Sequence, residues 1–149
     1  MKTRSLPILV GLALCFALRV LARENDNVGP ETRQQIEAVL KMREKAINKN
    51  DATTVAALYT QDATSIRSWE SEGGLASGRQ AIEKRYASEL ASSPGEFVDT
   101  LAMVCPAGNE MCAISEGSWG LWKGYYVRIY VWDADGWKIR VEYVIFGRH

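Results

Sequence analysis

The hydrophobic pattern of this chain is mainly helical in its first part and strand-like in its second. From Glu31 to about Asn48, apolar Ile36, Val39, Leu40, Ala46 and Ile47 recur at the spacing that lines one face of a helix. Arg43 falls near the centre of that stripe, not on its polar side. Asp51 is placed to cap a second, shorter helix whose Val55, Leu58 and Tyr59 share a face. Residues 63–69 read as a strand and Gly73-Gly74 as a turn. Ser77 with Gln80 makes a capping-box pattern for a third helix carrying Ile82, Tyr86 and Leu90, which Ser92-Ser93-Pro94-Gly95 stops. Beyond it the pattern is β, with strands expected at about 97–105, 111–119, 124–132 and 137–146 and a last turn at Asp133-Ala134-Asp135-Gly136. Helices first and a long antiparallel meander afterwards predict an α+β domain with the sheet curled around the helices.

The first residues stand apart from that domain. Lys2 and Arg4 precede an apolar run from Leu6 to Leu18, and Val20-Leu21-Ala22 places small or apolar residues before a cleavage point. The run is shorter than the roughly 20 residues a membrane span takes. We read residues 1–22 as a signal peptide, 23–30 as a flexible lead-in ending in Gly29-Pro30, and 31–149 as one domain, periplasmic or secreted. The late position of Arg19 leaves an uncleaved anchor as the alternative. The bulky Leu14 before Cys15 argues against a lipoprotein site. Cleavage removes Lys2, Arg4 and Arg19, leaving 15 basic residues against 18 acidic and a formal charge of −3. That balance offers no footprint for nucleic acid or an anionic membrane, and no stable membrane anchor remains after cleavage.

Cys105 and Cys112 flank a probable-turn composition, Pro-Ala-Gly-Asn-Glu-Met, and can face each other across a hairpin. In an oxidising compartment a disulfide is expected, with two reduced, packed thiols as the alternative because sequence does not set hairpin register. No metal site is expected, since neither His nor a second Cys pair lies nearby. The single His149 is the last residue and reads as a solvated tail. Without a Gly-rich phosphate loop or a nucleophile elbow, no cofactor is expected either.

The stretch "NKNDATTVAALYTQDATSI", then "GRQAI" and "DADGWKI", resembles the nuclear transport factor 2-like superfamily, which includes ketosteroid isomerases and SnoaL-like proteins. The resemblance covers nearly all of the chain after the first thirty residues. It implies a cystatin-like, cone-shaped α+β barrel: helix, helix, strand, helix, then a four-stranded antiparallel meander curved around a pocket. The last two strands have unequal faces. One carries Val127, Ile129 and Val131, then Ile139, Val141, Tyr143 and Ile145; the other carries Arg128, Tyr130 and Trp132, then Arg140, Glu142, Val144 and Phe146. Ordinary packing would bury the aliphatic face under the helices. The resemblance implies the reverse, with Arg128, Glu142 and Val144 facing the pocket and the aliphatic face meeting a second subunit. An exposed aliphatic face usually marks an interface, so a homodimer is expected.

Aligned with ketosteroid isomerase, the catalytic Tyr position is Arg43, the base position is Arg67 and the oxyanion Asp position is Arg128. A guanidinium cannot accept a proton, so isomerisation by that mechanism is excluded. Scytalone-dehydratase-like chemistry relies on His. Limonene-epoxide-hydrolase-like sites need an Arg between two Asp, and Tyr130 stands where the second Asp belongs. What remains is Arg43, Arg67 and Arg128 converging on one cavity, with Arg140 and Glu142 nearby and Tyr59, Trp69, Trp119 and Tyr130 as walls. Paired guanidinium donors suit carboxylate or phosphate, and clustered buried cations need a counter-anion. The expected ligand is a small organic anion with an aromatic or apolar body.

Three alternatives stay open. Each Arg can snorkel to the rim or pair with its own acid, such as Glu142 or Glu116. Glu142 can serve as the base of an isomerase, lyase or hydrolase, with Arg128 orienting the substrate; apolar burial would raise its pKa and an Arg partner would lower it. Or the aliphatic sheet face makes the chain an association module. The cluster of Trp119, Trp122, Trp132 and Trp137 reads as packing or pocket wall, because single-stranded nucleic acid would need a basic groove beside it.

Overall fold

Pro30 stands at the first position of helix α1 (Pro30–Asn48), where its missing N–H and fixed φ suit a helix start. Asn50 then turns left-handed at φ 56°, a conformation Asn tolerates, and Asp51 caps α2 (Ala52–Ala57) by accepting from the Thr54 N–H at 2.9 Å. The computed structural model describes residues 28–68, 74–93 and 95–148. The expected signal peptide, most of the lead-in, Trp69 and His149 lie outside the described residues.

Among the described residues, six strands and one more helix follow: β1 (Tyr59–Arg67), β2 (Leu75–Ser77), α3 (Arg79–Ser92), β3 (Phe97–Ala107), β4 (Glu110–Trp119), β5 (Trp122–Asp133) and β6 (Gly136–Arg148). The sheet runs β2-β1-β6-β5-β4-β3, antiparallel throughout except for the parallel β1–β6 pair. The fold is α+β with a curved sheet, as expected, but the sheet is open, so β2 and β3 remain edges.

Two local expectations fail for a shared reason, which is pairing with distant partners. β1 starts at Tyr59 instead of residue 63, because Tyr59 lies beside Ile139 and the Leu58 carbonyl accepts from the Ile139 N–H at 2.9 Å. Ser77 does not form a capping box. It is drawn into β2 opposite Thr64, and α3 follows Gly78, whose φ of 86° makes the turn with no side-chain cap.

The arginine-bearing side of the last two strands faces the helices. Tyr126, Arg128, Tyr130, Glu142 and Val144 are buried, whereas Tyr125, Tyr143 and Ile145 on the other side are exposed. One residue breaks the expected alternation. Tyr130 pairs with Ile139 and Ile129 with Val141, so Arg140 is the extra residue of a β-bulge. The bulge turns Ile139 into the core and Arg140 outward, where it pairs with Glu110 at 2.7 Å. Arg140 therefore does not belong to the inner cluster. At the far end of the sheet, Cys105 lies directly opposite Cys112, and both are free thiols. Burial and the neighbouring Cys105 push the Cys112 thiol upward.

Close backbone approach sets one stringent position. A Cβ added to Gly124 would stand 1.8 Å from the Ile145 carbonyl oxygen, which the β5–β6 ladder holds in place. Gly124→Ala should destabilise the fold by roughly 1–3 kcal/mol, as overpacking does. An unchanged urea midpoint would contradict this close approach.

Candidate functional site

Three arginines arrive at the centre of the cone from three elements: Arg43 from α1, Arg67 from β1 and Arg128 from β5. Each is almost fully buried. They meet two carboxylates that are completely enclosed, Asp99 from β3 and Glu142 from β6. Arg43 Nη1 and Arg128 Nη2 both donate to Asp99 Oδ2, at 3.0 and 2.8 Å. Arg128 Nε donates to Glu142 Oε2 at 2.9 Å, and Arg67 Nη1 donates to Glu142 Oε1 at 2.8 Å. Arg43 Nη2 lies 3.3 Å from Glu142 Oε2.

Hydroxyls add further hydrogen bonds, while Arg43 Nε and Asp99 Oδ1 stay without a hydrogen-bond partner among the described residues. Ser65 and Tyr86 donate to Glu142 Oε1 at 3.2 and 3.1 Å, and Ser115 accepts from Arg128 Nη1 at 2.9 Å. The Tyr59 hydroxyl lies 3.2 Å from that of Tyr86. The Tyr126 ring packs against both Arg43 and Arg128, whose guanidinium carbons lie 4.7 and 4.1 Å from its centroid, and so adds cation–π attraction to both. Tyr130 is buried in the core, and burial pushes its phenol up to about 12.

Charge balance follows from this geometry. Burial opposes the charge on each arginine, but the surrounding acids and phenols more than offset it and keep all three protonated. Burial likewise opposes ionisation of Glu142. Arg43, Arg67 and Arg128 together outweigh it and hold the carboxyl well below the usual glutamate range. A carboxylate so stabilised, with no exposed atom, is a poor proton acceptor. In this arrangement Glu142 and Arg128 are committed to each other and to the buried network, and neither lines the cavity. The partner expected from Glu116 fails, because Glu116 is exposed on β4; Asp99 takes that place.

The open cavity lies to one side of this network. It has a volume of about 260 Å³ and runs between the last turn of α3 and the β4–β5 hairpin. Arg67, Tyr86 and Glu89 form one wall. Trp119, Trp122, Tyr126 and Phe146 form the aromatic wall, and Ser92 and Ser93 lie beside the opening. Arg67 is the hinge between network and cavity: its Nη1 edge is committed to Glu142 and Ser65, while Nε and Nη2 donate to Glu89 at 3.2 and 3.4 Å. Of the expected ligand-binding residues, Arg67 and Trp119 line the cavity. Arg43, Arg128, Tyr59 and Tyr130 are sealed inside the cone and do not line it. Arg140 is at the surface and Trp69 lies outside the described residues.

Trp122, read as packing or pocket wall, lines the cavity, whereas Tyr86, Glu89, Tyr126 and Phe146 were not anticipated as site residues. Tyr86 was legible as a buried helix position, and Glu89 three residues later sits beside it by helical geometry. Asp99 carried a signal too, since strand alternation puts it on the face of Phe97. Among the described residues, no three His, Cys, Asp or Glu side chains gather to hold a metal.

No family model matches the chain, and no curated protein sequence does. Solved structures do. A ketosteroid isomerase-like protein from Erwinia carotovora atroseptica superposes with a TM-score of 0.66 at 16% identity, over 78% of this chain and 96% of that one. A nuclear transport factor 2-like protein of unknown function from Pseudomonas putida gives 0.64 at 15%, over 79% and 88%. A protein with a cystatin-like fold from Nostoc punctiforme gives 0.65 at 11%, over 80% and 94%. The class is therefore settled by architecture: this chain has the nuclear transport factor 2-like, cystatin-like fold. At these identities the likeness concerns the fold alone.

The network makes a measurable demand on stability. Glu142→Gln removes one partner of a buried charge cluster and should destabilise the protein by about 3–5 kcal/mol. Because the folded pKa of Glu142 is depressed, its stabilisation is present above the unfolded value of about 4.3 and is lost as pH falls below it. Denaturant unfolding between pH 7 and pH 2 should show a steeper loss of stability for the wild type than for Glu142→Gln. Parallel curves would contradict the ionised, paired state.

Proposed function

We propose that this protein is an exported small-molecule-binding protein whose ligand occupies the cavity between α3 and the β4–β5 hairpin. The observation that carries this reading is the cavity's division of labour: an aromatic wall of Trp119, Trp122, Tyr126 and Phe146 faces a polar wall of Arg67 and Glu89. Ligand pockets combine a largely apolar lining with a few placed polar groups, in volumes of roughly 300–1,000 Å³. At about 260 Å³ this one suits a body of one or two rings. The cavity-facing edge of Arg67, held by Glu89 in the free protein, favours an organic anion, because its Nε and Nη2 donors form a fork that matches two carboxylate oxygens.

Recognition is favoured over catalysis through Glu142, since that carboxylate is enclosed and held ionised by three cations. Binding should be visible with naphthalene-2-carboxylate as probe. Titration should move the indole N–H signals of Trp119 and Trp122 in a saturable way and leave that of Trp137, which donates to Gln35, in place. Equal shifts at all tryptophans, or none, would count against this cavity as the site.

One further observation favours self-association. The outer sheet face exposes Tyr125, Tyr143 and Ile145 beside the half-buried Val127, Ile129 and Val141. Apolar patches of this kind commonly mark interfaces. We read this face as that of a homodimer, to which Ile145→Glu on each copy would bring opposed buried charges. Light scattering should give a dimer for the wild type and a monomer for Ile145→Glu; a monomeric wild type at high micromolar concentration would remove this reading.

A further inference from the structure

The inner cluster is not electrically complete by itself. Arg43, Arg67 and Arg128 supply three positive charges, while the enclosed acids Asp99 and Glu142 supply two negative ones. Among the described residues Glu89 provides the third, and it differs from the other two in every respect that bears on exchange. Its side chain is 20% exposed, whereas those of Asp99 and Glu142 are 0% exposed. Its two contacts with Arg67, at 3.2 and 3.4 Å, are longer than the 2.8 Å contact that Arg67 makes with Glu142. They are also longer than the roughly 2.7–2.9 Å of a strong charge-assisted bond. And it stands on the cavity wall, near the C-terminal end of α3.

We propose that Glu89 is a built-in stand-in for the ligand: its carboxylate occupies the Nε–Nη2 edge of Arg67 in the free protein and yields that edge to the carboxylate of an aromatic acid. This deepens the binding reading above and rests on it. The exchange needs only a side-chain rotation, because Glu89 lies on a helix surface that already touches solvent. Arg67 keeps its Nη1 bonds to Glu142 and Ser65 throughout, so the buried network does not rearrange. A monocarboxylate replaces one negative charge by another and leaves the cluster balanced. A neutral ring compound brings no charge to replace that of Glu89, so it binds with Glu89 still in place and gains little from its removal. The internal competitor lowers apparent affinity by the fraction of time that it holds the edge, and in return selects for ligands carrying a carboxylate.

The test compares naphthalene-2-carboxylate with naphthalene-2-carboxamide by calorimetry on the wild type, Glu89→Gln and Glu89→Ala, with thermal melts to establish that all three are folded. Removing the competing charge should tighten the carboxylate by about tenfold and change the carboxamide by less than about twofold. Both substitutions should act in the same direction. Tighter binding of both probes, or unchanged or weaker binding of the carboxylate, would overturn the exchange while leaving the cavity as a binding site. Binding of neither probe to any of the three proteins would overturn the cavity reading and the exchange with it.

Discussion

Burying three guanidinium groups in one small space is costly unless their charges are balanced and most of their donors find partners, and much of this molecule is arranged around that demand. Removing an ion from water costs several kcal/mol even after relaxation. Here the compensation is drawn from almost every element: Asp99 from β3, Glu142 from β6, Ser115 from β4, Ser65 from β1 and Tyr86 from α3. Each contributes one group to a shared centre. A one-residue slip of β5 or β6 would turn Arg128 or Glu142 to the outer face and strand the remaining charges. The cluster therefore links strand register to helix placement in a way that interchangeable apolar contacts cannot.

That same demand decides where chemistry can occur. In a cone-shaped fold the interior is the natural place for a ligand, but here ion pairs and tyrosines fill it. The open volume is displaced toward the mouth, beyond Tyr126 and beside the last turn of α3. Glu142, the most obvious acid on the inner face, is thereby a structural anion. Arg67 is the cation that belongs to both regions, with one edge in the network and the other on the cavity wall. Its double membership is why a surface glutamate can influence a buried cluster, and why the mouth of the cone is polarised instead of uniformly aromatic.

Several of these features were legible before any coordinates. The misplacement of Arg43 within an apolar helix stripe marked it as a buried charge, and it is one. The unequal faces of the last strands, together with the family resemblance, put Arg128 and Glu142 inward. Arg140 shows where the pattern fails. Strict alternation groups it with Glu142, but a single bulged residue reverses the face for the residues before it, and nothing in the local composition announces that bulge. The partner of the arginines was harder still. Glu116 and Asp99 are equally acidic on paper; alternation with Phe97 hints at the difference, and the fold puts Asp99 inside and Glu116 in water.

Periodicity and composition by themselves determined the order of helices and strands, the α+β class and the presence of cations at positions that should be apolar, because these are properties of near neighbours along the chain. The ionisation of Glu142, the sealing of Arg43 and Arg128, and the emergence of Arg67 with Glu89 at the cavity were decided only by the tertiary structure. Those outcomes depend on distances between groups from different elements. Coulomb attraction and desolvation change steeply over a few ångströms, whereas the pattern of residues along a strand carries no such distances.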